Sequence, residues 1–278
     1  MTPLAEKVVQ DLLHAIDTDR VVLPTLPEVA LKVREAAEDP NVGVAELSRV
    51  IAMDAALTAR LIKVVNSPLL RTSKEITDLQ MAVGRLGINY TANLATGLAM
   101  QQMFQATSDA VDRKMREVWS QGTEIAAISH ALCKRYTRLM ADRALLAGLV
   151  HQIGVLPILT YAEEQEELLA NAITLDQVTA RIHPQIGERI LKVWDFPADI
   201  ACVPREYLAL ERQPAAADYA DIVQVASQLH AQRQGQGQQE SSVQTLPAGI
   251  RLGLNNQPDP AQDPAFWDAV EQSRTLLG

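Results

Sequence analysis

The sequence predicts an all-helical protein, and three observations carry that prediction. Hydrophobic residues make up 47% of the chain but aromatic residues only 4%, with alanine and leucine dominant. Such a composition suits helix packed on helix and lacks the β-branched and aromatic runs of a sheet. Apolar residues recur at three- and four-residue spacings, and residues that start or stop helices fall at the ends of these periodic stretches.

Taken in order, residues 3 to 17 carry Leu4, Val8, Leu12 and Ile16 at helical spacing, with Pro3 suited to the first turn. Leu23-Pro24-Thr25-Leu26-Pro27-Glu28-Val29 reads as a rigid turn whose Pro27 opens a helix running to about Glu38. Asp39-Pro40-Asn41 breaks the chain. Helices are predicted over 43–52 and 54–66, the second started by Asp54 as N-cap. Asn66-Ser67-Pro68 stops it, the two polar side chains bonding nearby backbone groups. A further pair spans roughly 78–85 and 88–104, separated at Gly87. Residues 109–137 read as one long helix. At about 100° per residue, Val118, Gln121, Ile125, Ile128, Leu132 and Tyr136 fall in one stripe. That placement turns Gln121 inward and leaves His130 facing solvent.

The run from Leu145 to Leu156 is apolar on all sides, as a helix buried all round would be, and it is the expected centre of the fold. It is too short and too interrupted for a membrane span of roughly 20 apolar residues. Two adjacent polar residues, His151 and Gln152, are set into it. A buried imidazole and a buried amide each cost free energy unless partnered, so a metal, a ligand or another side chain must meet them. Pro157 should kink or end this helix within a turn. Residues 163–170 are acidic and read as an exposed helix face. Thr174-Leu175-Asp176 opens a short helix, and Pro184 suits the first turn of the next, whose Ile186, Ile190, Val193 and Trp194 pack inward and which His183 precedes. Residues 232–247, rich in Gln, Gly and Ser, read as a flexible connector. Pro258 to Pro264 forms a second break before a short helix containing Phe266, Trp267 and Val270.

A formal net charge of −9 argues against a general nucleic-acid binder, which normally presents a basic surface. Two cysteines, Cys133 and Cys202, and no C-x-x-C indicate neither a disulfide framework nor a thiolate zinc site. The N-terminal residues lack a basic segment followed by an apolar core, so the expected address is the cytoplasm. No internal repeat, P-loop or dinucleotide-binding glycine fingerprint occurs.

Gly148-Leu149-Val150-His151-Gln152-Ile153-Gly154 resembles the G-L-x-H-D-I-G helix of the HD superfamily of metal-dependent phosphohydrolases, whose adjacent His and Asp ligate the metal. Here Gln152 replaces the Asp. Leu23 to Val29, Ile51-Ala52-Met53-Asp54-Ala55-Ala56-Leu57-Thr58, Val65-Asn66-Ser67-Pro68 and Ala82-Val83-Gly84-Arg85-Leu86-Gly87 follow one another at short intervals. That succession is similar to the N-terminal half of HDOD domains, HD-related output domains of bacterial signalling proteins. The resemblance runs from about Leu23 to about Ser227, with Ala55 standing where the family usually has Pro. It implies an HD-domain-like helical bundle with an N-terminal helical subdomain. The expected divisions are an N-terminal subdomain over 1–108, an HD-like subdomain over 109–231, the connector over 232–247 and a C-terminal helical extension over 248–278.

The same resemblance implies a degraded ligand set. Gln121 takes the slot of a metal-ligating His shortly after Trp119. His183-Pro184-Gln185-Ile186-Gly187 keeps the His of the H-P-x-x-G carried by related hydrolases, including cyclic-dinucleotide phosphodiesterases of the HD-GYP group, and Trp194-Asp195-Phe196-Pro197 continues the match. Pro204-Arg205-Glu206 stands in place of a His-His-Glu, Ser227 in place of a terminal Asp, and the Gly-Tyr-Pro element is missing. Losing the carboxylates removes the charge that offsets dehydration of a cation, and an inward Arg205 would add repulsion. Gln121, His151, Gln152, His183, Arg205 and Ser227 are therefore expected to mark a vestigial pocket with no catalytic residue, no metal and no cofactor. The implied function is a non-catalytic module of bacterial signal transduction that binds another signalling protein or a small ligand, away from membranes. The alternative is a residual HD-type metal-dependent phosphohydrolase or phosphodiesterase.

Overall fold

The structure is a computed structural model and describes residues 2–18, 20–70, 73–235 and 242–277, among which there is no strand. Helix α1 (Pro3–Asp17) starts where the Thr2 hydroxyl accepts from the Ala5 amide. Next come α2 (Glu28–Glu38), α3 (Val44–Ile51) and α4 (Ala55–Val65). Asp54 caps α4 as predicted, its carboxylate taking the Leu57 amide at 2.9 Å. Asn66 ends α4 and also fastens the following loop, donating to Ile62 O and Ile76 O and accepting from the Ile76 amide. Its role is a stop and a tie. Helices α5 (Leu79–Leu86) and α6 (Ile88–Ala99) meet at Gly87, whose φ of 84° lets the chain turn there without a linker. The last turn expected for α6 tightens into a 3-10 segment, Met100–Met103. Helices α2 to α6 surround one apolar core that includes Val33, Leu47, Ile51, Leu61 and Leu98.

The second core is built around α7 (Asp109–Tyr136), which is packed by α8 (Ala141–Val150), α9 (Val155–Glu163), α14 (Tyr219–Arg233) and α16 (Pro264–Arg274). Between these lie α10 (Glu166–Leu169), α11 (Ala172–Val193), α12 (Ala198–Ala201), α13 (Val203–Glu206) and α15 (Pro247–Arg251). The acidic stretch is less open than expected, because Leu168 is buried. Glu163 accepts from the Ser108 amide and the Thr107 hydroxyl at the start of α7.

Several boundaries differ from the sequence reading. Helix α1 packs on α11 in the second core through Leu12 and Ile16, so it does not belong with the N-terminal subdomain. Conversely, Leu276 and Leu277 enter the first core, and the Arg60 guanidinium bonds both Leu98 O and Leu277 O. The two ends of the chain are exchanged between the cores. The expected helix through 145–156 breaks after Val150, at a turn formed by residues 151–154. Pro157 then falls in the first turn of α9, where a missing N–H costs nothing, and it neither kinks nor ends a helix. Taken across that turn, Ala141–Glu163 is long and apolar enough to cross a membrane, contrary to the length argument, but it forms buried core. Pro184 does not open a helix. It sits inside continuous α11, with His183 within the helix as well.

On α7, Gln121 is exposed and His130 is buried, the reverse of the stripe prediction. The reason is that α7 is covered from several sides, so all nine residues from Ile125 to Cys133 are buried and one stripe cannot describe them. His130 bonds Ser273 of α16 through Nδ1 at 2.9 Å and lies 3.3 Å from the Tyr90 hydroxyl of α6 through Nε2. Within the expected connector, 236–241 lie outside the described residues. Of the rest, Val243 is buried and Gln244 bonds Leu254 O and Gln257 O, so that part is packed.

Two glycines set how closely the helices approach. A Cβ on Gly148 would stand 2.4 Å from Ala126 Cα, and one on Gly154 would stand 2.1 Å from His183 O. The first contact joins α8 to α7, and the second joins the 151–154 turn to α11. Because the obstructing atoms are backbone, no side-chain rotation can relieve either clash. Gly148→Ala is therefore expected to destabilise by about 1–3 kcal/mol or more, the range for overpacking a filled core. Leu149, 4% exposed and packed in the first core, should cost about 2–5 kcal/mol on truncation to Ala. Urea midpoints of the two variants check both values. A loss below about 0.5 kcal/mol for either would place these residues outside the core.

Candidate functional site

The end of α8 delivers His151, which caps the helix and is fully buried. Its Nδ1 lies 2.6 Å from Gly148 O. A carbonyl oxygen can only accept, so Nδ1 carries the proton and Nε2 keeps its lone pair. His183 repeats the arrangement from α11, with Nδ1 2.8 Å from Thr179 O. Its Nε2 lies 3.0 Å from the Tyr207 hydroxyl, so the phenol is the donor. Tyr207 follows α13 directly and stands between the two imidazoles. Its ring meets His151 edge to face at 5.0 Å and 90°, and lies 6.2 Å from His183.

Further side chains close around that phenol. Gln152 lies against it. Gln224, from α14, donates to Tyr207 O at 2.9 Å. Ser227 and His230 follow further along α14, and His230 Nδ1 pairs with Glu124 of α7 at 3.1 Å. Four buried atoms in this neighbourhood, His151 Nε2, Gln152 Oε1, Gln224 Oε1 and Ser227 Oγ, have no hydrogen-bond partner. Burial lowers the His151 pKa to about 4, with His183 and His230 opposing its charge as well. Burial also lowers that of His183.

Of the six positions marked in the sequence, His151, Gln152 and His183 are brought together around Tyr207, and Ser227 sits one turn beyond Gln224. Gln121 and Arg205 are not part of the group. Gln121 is exposed, and the Arg205 side chain is 67% exposed and paired with Glu188, so it adds no repulsion inside. Sequence reasoning missed Tyr207, Gln224, His230 and Glu124. The three-residue spacing of Gln224, Ser227 and His230 was the available signal, hidden by the apolar residues around it.

A second concave feature lies between the two halves. A cavity of about 290 Å³ is lined by α2 and α6 on one side and by Met140, α8 and the Phe196-Pro197 segment on the other. Arg34 holds this seam. It donates to Trp194 O and Asp195 O and stacks 4.1 Å over the Phe196 ring, while the Trp194 indole donates to Pro24 O. Arg143, on the opposite wall, pairs with Asp199.

The family model of the HDOD domain matches residues 23–206. The chain belongs to the HDOD domain family. Among solved structures, a candidate metal-dependent phosphohydrolase from Shewanella amazonensis SB2B is similar to this HDOD protein with a TM-score of 0.84 and 29% identity over 99% of both chains. An HDOD domain protein of unknown function from Geobacter sulfurreducens shares the fold at 19% identity and a TM-score of 0.64, covering 96% of this chain and 89% of that one. A candidate signal transduction protein from Marinobacter aquaeolei VT8 does so at 21% and 0.67, covering 98% and 64%. An uncharacterized protein of Treponema pallidum strain Nichols is 26% identical over 206 residues, or 69% of this chain. The present chain spans 39% of that relative's length.

The metal of the related HD hydrolases does not fit the donors found here. No group of three or more His, Cys, Asp or Glu among the described residues is arranged to hold a metal ion. Gln152 offers only a neutral amide, and the His183 lone pair is engaged by a phenol.

Two measurements follow. Tyr207→Phe leaves the ring in place but strands the buried His183 lone pair, which should destabilise by about 1–3 kcal/mol in urea titrations. The second concerns acid. His151 and His130 have folded pKa values of about 4 against an ordinary 6.5, because burial opposes their charge. The unfolded chain therefore binds more protons between those values. Stability is complete above about pH 6.5 and falls as pH drops towards 4. Urea midpoints that stay level across that interval would contradict the buried neutral imidazoles.

Proposed function

We propose that this HDOD protein is a non-catalytic module of bacterial signal transduction that acts by binding another signalling protein or a small ligand. The observation that carries the reading is the Tyr207 phenol standing between His151 and His183, where no cluster of three or more His, Cys, Asp or Glu among the described residues could hold a metal to activate water. The seam cavity between the two halves, with Arg34 and Arg143 on facing walls, supplies a concave surface that such a partner or ligand would use. The net charge of −9 disfavours nucleic acid as that partner. The cytoplasm is the proposed setting.

A residual metal-dependent phosphohydrolase is the competing reading, favoured by the description of the Shewanella relative at 29% identity. The two separate cleanly. Chelator-treated protein, supplied with manganese, magnesium or zinc, should turn over neither an aryl phosphodiester nor a cyclic dinucleotide. The Gln152→Asp variant should be equally inactive. A metal at about 100 times its dissociation constant stabilises a fold by roughly 2.7 kcal/mol, which for a chain of this size moves the melting temperature by several degrees. Such a shift accompanied by turnover would replace the non-catalytic reading with the hydrolase.

A further inference from the structure

We infer that Tyr207 is an internal substitute for a cation, placed between two histidines that the fold still holds in metal-binding form. Both imidazoles are fixed in one tautomer by backbone carbonyls, Gly148 O for His151 and Thr179 O for His183. A backbone oxygen on the far nitrogen is how metal-ligating histidines are oriented, leaving the other nitrogen to the ion. Here both lone pairs belong to Nε2. One accepts a hydrogen bond from the Tyr207 phenol at 3.0 Å. The other, on His151, is fully buried and has no partner, and its ring meets Tyr207 edge to face.

His183 is satisfied through both nitrogens, as His130 is elsewhere in the core, but His151 is not, and a buried lone pair without a donor is costly. The arrangement is what remains when two ligands are kept and the ion between them is exchanged for a side chain. The phenol serves His183 as a hydrogen-bond donor in place of a Lewis acid. Tyr207 is itself held by Gln224, which donates to its backbone carbonyl, and by a side-chain hydrogen bond from Gln152. Restoring a carboxylate at Gln152 is therefore not sufficient to admit a metal. The phenol has to leave first.

This inference deepens the non-catalytic reading and rests on it, and zinc binding without turnover tests it separately from that reading. The probe is zinc chloride, read by thermal melts of the full chain. The native protein and Gln152→Asp should show no zinc-dependent shift. Gln152→Asp combined with Tyr207→Ala should gain several degrees at saturating zinc, and adding His151→Ala should abolish the gain. The inference is overturned if Gln152→Asp alone responds as strongly as the double variant, or if the folded double variant does not respond. Should the double variant fail to fold, long-range proton–nitrogen spectra of the unaltered protein decide the matter. Both rings are expected as the Nδ1-protonated tautomer, and the opposite tautomer at either ring would overturn the inference.

Discussion

The fold around the buried histidines depends on two places where backbone touches backbone. Gly148 lies directly against Ala126, and Gly154 lies directly against His183 O. Between them the chain makes the short turn that carries His151 and Gln152. Protein interiors are packed as closely as organic crystals, so a single extra methyl at either contact would have to move a whole helix. The first approach locks α8 to the centre of α7. The second locks the turn to α11 and thereby determines how far His151 stands from His183. The polar group at the centre of the molecule is thus a consequence of two hydrogen atoms where other residues have a side chain.

Helix positions were legible in the sequence wherever a local cause set them. Thr2, Asp54 and Asp78 cap helices through their own side chains, and Gly87 separates α5 from α6 by its own backbone freedom. What failed was set by distant parts of the chain. Gln121 and His130 were misplaced because the surroundings of α7 are determined by α14 and α16, more than eighty residues further on. Pro157 and Pro184 were each read by rule, and in each case the structure put them in the other of the two places a helix allows. At the site, His151, Gln152 and His183 carried a recognisable pattern. Tyr207 carried none, because a tyrosine after a short helix looks like any core aromatic until the two imidazoles are seen on either side of it.

The buried histidines share one chemical character. His130, His151 and His183 are all kept from charging by burial, and each makes a defined bond through Nδ1, to Ser273, Gly148 and Thr179 respectively. The Ser273 hydroxyl already donates to Ala269 O, so it accepts from His130, which places that proton on Nδ1 as well. The bond of His130 joins α7 to α16, whereas those of His151 and His183 stay within their own helices and fix the orientation of each ring. All three are poor proton shuttles near neutrality, since burial holds each pKa below the ordinary histidine value and keeps the ring neutral at pH 7.

The exchange of chain ends between the two cores bears on how the protein is made. Leu57 and Leu61 share their core with Leu276 and Leu277, and the bond from Arg60 to Leu277 O spans 217 positions of sequence. Contacts of such separation form late, after the entropy of closing a very long loop has been met. The first core is therefore closed by residues at the far end of the sequence, and it is complete only when they are in place.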